Sequence, residues 1–205
     1  MFDRIVLLLT GLVAAYVIWR FYTRYAREKS LYDVYYLLGF VVLLVSGVLL
    51  ILFGYGILAS PYVLTVATLI PLGISLGLMN QFYPEQKKIY AWFALIGFLA
   101  IAVTSIMGLP LKKVAVPLFH GVAGLIIFGV PILSSMGHKT AKDFWWVGVG
   151  GVLIGLGGIA LAFLSVGSQL LFFSQQFVLT ILAPLLLLMT LAFTWGFTRD
   201  ILQKP

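Results

Sequence analysis

Residues 34–84 read VYYLLGFVVLLVSGVLLILFGYGILASPYVLTVATLIPLGISLGLMNQFYP, a run of 51 residues without a charged side chain. A membrane-spanning helix takes roughly 20 apolar residues. The run is therefore too long for one span and right for two, with a turn where Ser60-Pro61 interrupts it. No soluble fold buries such a stretch on a chain this short. Two spans and a turn is the reading that decides the rest.

The same ruler applies on either side. Between Arg4 and Arg20 lie 15 uncharged residues, one span if both arginines snorkel outward. Residues 89–111 and 114–137 make runs of 23 and 24, one span each, and residues 144–198 make a run of 55, two more. The expected fold class is an all-α integral membrane protein, a seven-transmembrane-helix bundle. Its helices fall at about 4–22, 33–54, 61–82, 88–108, 114–136, 143–166 and 173–198, so that residues 1–205 form a single transmembrane domain. A turn is expected at Gly167-Ser168-Gln169. The first segment has the length of a signal peptide core, but its small-x-small pattern is poor, so it reads as a retained helix.

Composition agrees. The chain is 62% apolar and 9% charged, against ~45–50% and ~25% in soluble domains, and its mean hydropathy is +1.13. The formal net charge of +7 lies in clusters at expected helix ends, which points to membrane topology and to no nucleic acid. Ten basic residues (Arg20, Arg24, Arg27, Lys29, Lys87, Lys88, Lys139, Lys142, Arg199, Lys204) fall on one side and three (Arg4, Lys112, Lys113) on the other. Positive charge stays inside. That places the N-terminus outside and the C-terminus inside a cytoplasmic membrane. With no cysteine, disulfides, thiolate metal sites and iron–sulfur clusters are excluded.

Two helix starts match. Ser30-Leu-Tyr-Asp33-Val-Tyr-Tyr36 parallels Thr140-Ala-Lys-Asp143-Phe-Trp-Trp146, each a hydroxyl cap with an acid three residues on and an aromatic pair at interface depth. Tyr62-Val-Leu-Thr65 parallels Phe177-Val-Leu-Thr180, and a weaker match places Pro61 over Pro117. Helices 2–3, 4–5 and 6–7 then read as copies of one hairpin about an axis along the membrane normal. In helix 6, Gly148, Gly151, Gly155, Gly158 and Ala162 fall on one face, as Gly73 and Gly77 do in helix 3, which predicts close helix–helix contact.

The expected membrane cores hold no Asp, Glu, Lys or Arg. Ion-coupled transport, aspartate-held magnesium and intramembrane metalloproteolysis all need such groups, and a retinal Schiff base needs a lysine that residues 175–198 lack. Ser105, Ser134 and Ser135 have no base at their depth and are expected to bond back to helix carbonyls. No catalytic residue and no metal site is expected.

His120 stands out, roughly 10 Å below the outer end of its helix. As an axial ligand it would hold haem b, with Gly121 and Gly124 leaving room for a porphyrin edge. A second ligand is hard to find. His138 lies roughly 27 Å away along the same helix, and only Met107 ends its helix on the correct side. Otherwise His120 is a neutral packing histidine bonded to a nearby hydroxyl or amide, with Gln175 or Gln176 as partners, and His138 is a solvated loop residue.

Three functions fit. The first is a non-enzymatic subunit or scaffold in the lipid bilayer, a homo-oligomer or a partner of other membrane subunits, with no cofactor expected. The second is a haem-binding electron carrier. The third is an uncoupled channel for a small neutral solute, lined by Thr65, Thr68, Thr180 and Gln176, which an axis filled with Leu and Phe would end.

Overall fold

The computed structural model describes residues 2–165 and 174–203, and within them the side chains of all but residues 159–165 and 175. The described residues form helices and turns without a strand: α1 (Phe2–Glu28), α2 (Leu31–Phe53), α3 (Pro61–Ala67), α4 (Leu69–Phe82), α5 (Lys87–Ile106), α6 (Lys112–Met136), α7 (Trp145–Ser165) and α8 (Gln175–Gln203). Short 3₁₀ turns cover Tyr55–Ala59 and Lys142–Phe144. Among these residues six stretches are long and apolar enough to cross a membrane, α3 and α4 counting together as one. By length and composition these helices are compatible with a multi-pass membrane protein. The expected turn at Gly167-Ser168-Gln169 and the side chains of the seam residue Ala162 and of Gln175 lie outside what is described.

The expected helix 3 is broken in two. Pro71 has no N–H to offer the Ala67 carbonyl one turn back, and its ring crowds that carbonyl. The helix yields at Thr68, whose Oγ1 donates to the Thr65 carbonyl at 2.6 Å. Pro117, Pro131 and Pro184, by contrast, sit within continuous helices.

Six helical columns close a ring. α1 packs on α2, α2 on α4, α4 on α6, α6 on α7, α7 on α8, and α8 returns to α1. α5 stays outside, against α3, α4 and α6. Glycines set the closest approaches. A Cβ at Gly73 would lie 2.8 Å from the Tyr35 carbonyl oxygen on α2, and one at Gly148 would lie 2.9 Å from that of Phe128 on α6. The predicted seam of α7 therefore faces α6.

The two ends of the ring differ. The C-terminal ends of α1, α4 and α8 meet the N-terminal ends of α2 and α7 at what we term the basic end, through contacts such as Tyr36–Gln81, Phe82–Phe144 and Arg199–Asp143. Just below it the ring is filled by Phe21, Tyr36, Phe40, Phe144, Phe193 and Phe197, packed on Ile74 and Leu78. Ring centroids 4.7 Å (Tyr36–Phe197) and 5.1 Å (Phe21–Phe197) apart are at contact for aromatic pairs. In this half the axis is closed by aromatic side chains.

Candidate functional site

α1 continues to Glu28, six residues beyond its expected end. Arginine is a good helix former, and the extension carries Arg24 to the level of Asp33, the third residue of the antiparallel α2. Arg24 Nε donates to Asp33 Oδ1 at 2.9 Å and to Oδ2 at 3.1 Å, and its Nη2 also reaches Oδ1. The guanidinium lies over the rings of Tyr32 and Phe21, 5.1 and 5.5 Å from their centroids. Its Nη1 stands 3.8 Å from Asp200 Oδ2 on α8, beyond the expected end of that helix at 198.

Gln81, on α4, closes the circuit. Tyr36 Oη donates to Gln81 Oε1 at 2.8 Å, and Gln81 Nε2 lies 3.4 Å from Asp200 Oδ2. Four helices thus converge on one network, and its ionised members are sealed: Arg24 is 1% exposed, Asp33 0% and Asp200 2%. Positions 24, 33 and 200 stand at helix ends, outside the uncharged runs read as membrane cores. Three charges lie inside the helices and inside the bundle, at the depth of the basic end. Such an arrangement holds because each charge has a partner and hydrogen bonds; stripped of one partner, a buried charge costs several kcal/mol.

The expected capping boxes are corrected. Ser30 makes no side-chain cap, and Thr140 Oγ1 is buried without a hydrogen-bond partner. Asp33 turns to Arg24, because a guanidinium offers a stronger, charge-assisted bond than a backbone amide. Asp143, its counterpart, meets Arg199 Nε at 3.4 Å, both about half exposed. Two of the three expected serines do not bond back to their own helices: Ser105 Oγ has no partner, and Ser135 Oγ donates across the turn to the Lys142 carbonyl at 2.7 Å.

His120 faces α7, where a Cβ on Gly158 would come within 3.2 Å of the imidazole. The backbone of Val116, one turn earlier on its own helix, lies beside the ring, and Gln176, one of the two glutamines expected as partners, is exposed. Met107 ends α5 at 68% exposure and is not directed into the bundle. His138 is an exposed turn residue with φ +54°. The four channel candidates are split. Thr65 and Thr68 are buried and bonded to their own helix, whereas Thr180 and Gln176 are exposed. Among the described residues no group of three or more His, Asp or Glu could hold a metal ion.

The signal that sequence reasoning passed over was the pair Arg24 and Asp33, nine residues apart across a two-residue turn. Two antiparallel helices joined so tightly must bring such positions to one level. What the network does chemically is bind helices: it holds no open nucleophile and no vacant acceptor aimed at solvent. Comparison with protein-family models, with curated proteins and with solved structures returns no match to this chain.

Proposed function

We propose that this chain is a non-enzymatic membrane subunit that crosses the bilayer seven times, with the basic end in the cytoplasm, and that it assembles with a second copy of itself. The observation that carries the reading is the network of Arg24, Asp33, Asp200, Tyr36 and Gln81. The most polar constellation in the interior is spent on holding α1, α2, α4 and α8 together, and a plug of aromatic rings lies beneath it. A seventh span is supported by α7, whose 21 residues reach roughly 31 Å at ~1.5 Å per residue, enough for a hydrocarbon core of ~30 Å.

Of the three matched hairpins, the packing favours the outer pair. α1, α2 and α3–α4 follow one another around the ring as α6, α7 and α8 do. Each first helix leads into a turn with a left-handed residue that is not glycine, Lys29 and His138, both at φ +54°. The chain then reads as two like-oriented three-helix units with α5 as connector. A connector outside the ring has a face to spare. Ile89, Trp92, Ile96, Leu99 and Val103 are all at least half exposed, and their 3, 4, 3, 4 spacing is that of a helix-pairing seam.

A chain without cysteine permits a clean test. Single cysteines at Lys87, Lys112 and Lys139 should report the orientation: an impermeant maleimide should label Lys112→Cys on intact cells and the other two only after permeabilisation. Ile96→Cys should form a disulfide-linked dimer in membranes, and Leu125→Cys, more exposed but on α6, should not. Reversed labelling would invert the topology, and absence of the Ile96→Cys dimer would remove self-assembly through α5.

The haem reading of His120 retains one support. A ligating histidine commonly donates its second ring N–H to a backbone carbonyl, as the contact with Val116 would provide. The expected result is nevertheless a colourless preparation. A Soret band that sharpens with dithionite and is lost in His120→Ala would transfer the assignment to an electron carrier.

A further inference from the structure

On the lipid-facing side of the bundle, α7 and α8 part to leave a groove of about 620 Å³. Trp146, Val149 and Leu153 line it from α7, and Leu188, Leu191 and Trp195 from α8. From Trp146 to Leu153 the wall runs seven residues, roughly 10 Å, which stays within the ~15 Å of hydrocarbon that one leaflet contributes. The groove thus begins at the basic end and stops short of the bilayer midplane.

Its mouth carries both signs of charge. Asp143 belongs to the lining, and its Oδ2 lies 3.4 Å from Nε of Arg199, the two side chains 42% and 47% exposed. The Arg199 guanidinium covers the Trp195 ring at 4.6 Å, and Trp145 and Trp146 stack at 4.6 Å beside it. Tryptophans of this kind sit at headgroup level. An ion pair so exposed gains little by itself, which leaves both partners free to share their charge with a bound dipole. The carboxylate on the lining would repel a purely anionic head. A head with a phosphate and an ammonium group matches the pair, phosphate to Arg199 and ammonium to Asp143 and the tryptophan faces.

The geometry points to a site for one phospholipid with an ammonium-bearing head, its acyl chain in the α7–α8 groove and its phosphate at Arg199. It goes beyond the subunit reading, requiring only that the chain be embedded with its basic end at a membrane surface.

The test is native mass spectrometry of the purified chain, with phosphatidylethanolamine and phosphatidylglycerol of identical acyl chains offered in equal amounts. The expected result is retention of about one phosphatidylethanolamine, favoured about fivefold, the ratio that one half-exposed ionic contact supplies. Asp143→Asn should abolish the preference without loss of fold, because the side chain is half exposed. Leu153→Trp, which fills the groove, should reduce retention of both lipids. Equal retention of the two, or preference unchanged in Asp143→Asn, would overturn the proposal. Should Leu153→Trp fail to fold, Asp143→Asn decides alone.

Discussion

Arg24→Met is expected to lower the unfolding free energy of the detergent-solubilised chain by about 3–5 kcal/mol, the range seen when one partner of a buried ion pair is removed. Methionine fills much of the volume and restores none of the charge. It leaves Asp33 and Asp200, 0% and 2% exposed, as two carboxylates facing a site from which their shared cation has gone. The loss is therefore a penalty for stranded charge, and it should shrink when the charge is removed as well. Arg24→Met with Asp33→Leu and Asp200→Asn should recover most of the stability, since a packed apolar replacement of a buried ionic cluster is often neutral. Arg199→Gln is the control, a half-exposed pair with Asp143 whose loss should cost about 1 kcal/mol or less. Denaturant titration or thermal melting of the four proteins measures all of this. If Arg24→Met and Arg199→Gln shifted the midpoint alike, the network would not be what joins α1, α2, α4 and α8.

That cluster also marks where the sequence stops being legible. The spans were readable because charge is costly in hydrocarbon, so Lys, Arg, Asp and Glu collect near helix ends, and the gaps between them measure the bilayer. The same rule hid the network. Arg20, Arg24 and Arg27 look alike as topology signals, yet only Arg24 points inward, and helical phase cannot be read from a segment expected to be loop. Asp33 carries a good capping signature, and nothing local announces a stronger partner nine residues earlier. Asp200 lies past the expected end of its helix, beside Arg199, which reads as a topology charge. The place of α5 outside the ring was illegible for another reason. A helix facing lipid and one facing its fellows are equally apolar, so the pattern that reveals the buried face of a soluble helix is missing. His120 was visible at once, but whether its ring meets a glutamine, a cofactor or the Val116 carbonyl depends on which side of α6 it occupies.

Glycine spacing was the exception, and it supports the second large expectation. At Gly151 an added Cβ would lie 2.8 Å from the Ile127 carbonyl carbon and the Phe128 nitrogen. These are backbone atoms held in the hydrogen-bonded ladder of α6, and no rotamer change moves them aside. Gly151→Leu must push α6 from α7, and is expected to cost about 3 kcal/mol, the upper part of the usual range for overpacking. Gly151→Ala sets two effects against each other. Alanine gains up to about 1 kcal/mol in helix propensity and loses about 1–3 kcal/mol to the forced separation, so the net change should be a destabilisation of about 1 kcal/mol. One turn along the same helix, Gly155 has open space where its Cβ would stand. Gly155→Ala keeps the propensity gain without the clash and should leave stability unchanged or raise it by up to about 1 kcal/mol. The opposite signs are what matter, because sequence position, helix and chemistry are shared and only the distance to α6 differs. If both alanines moved the melting midpoint the same way, backbone approach at Gly151 would not be what sets the α6–α7 contact, and the ring would have to be held at that seam by its larger side chains.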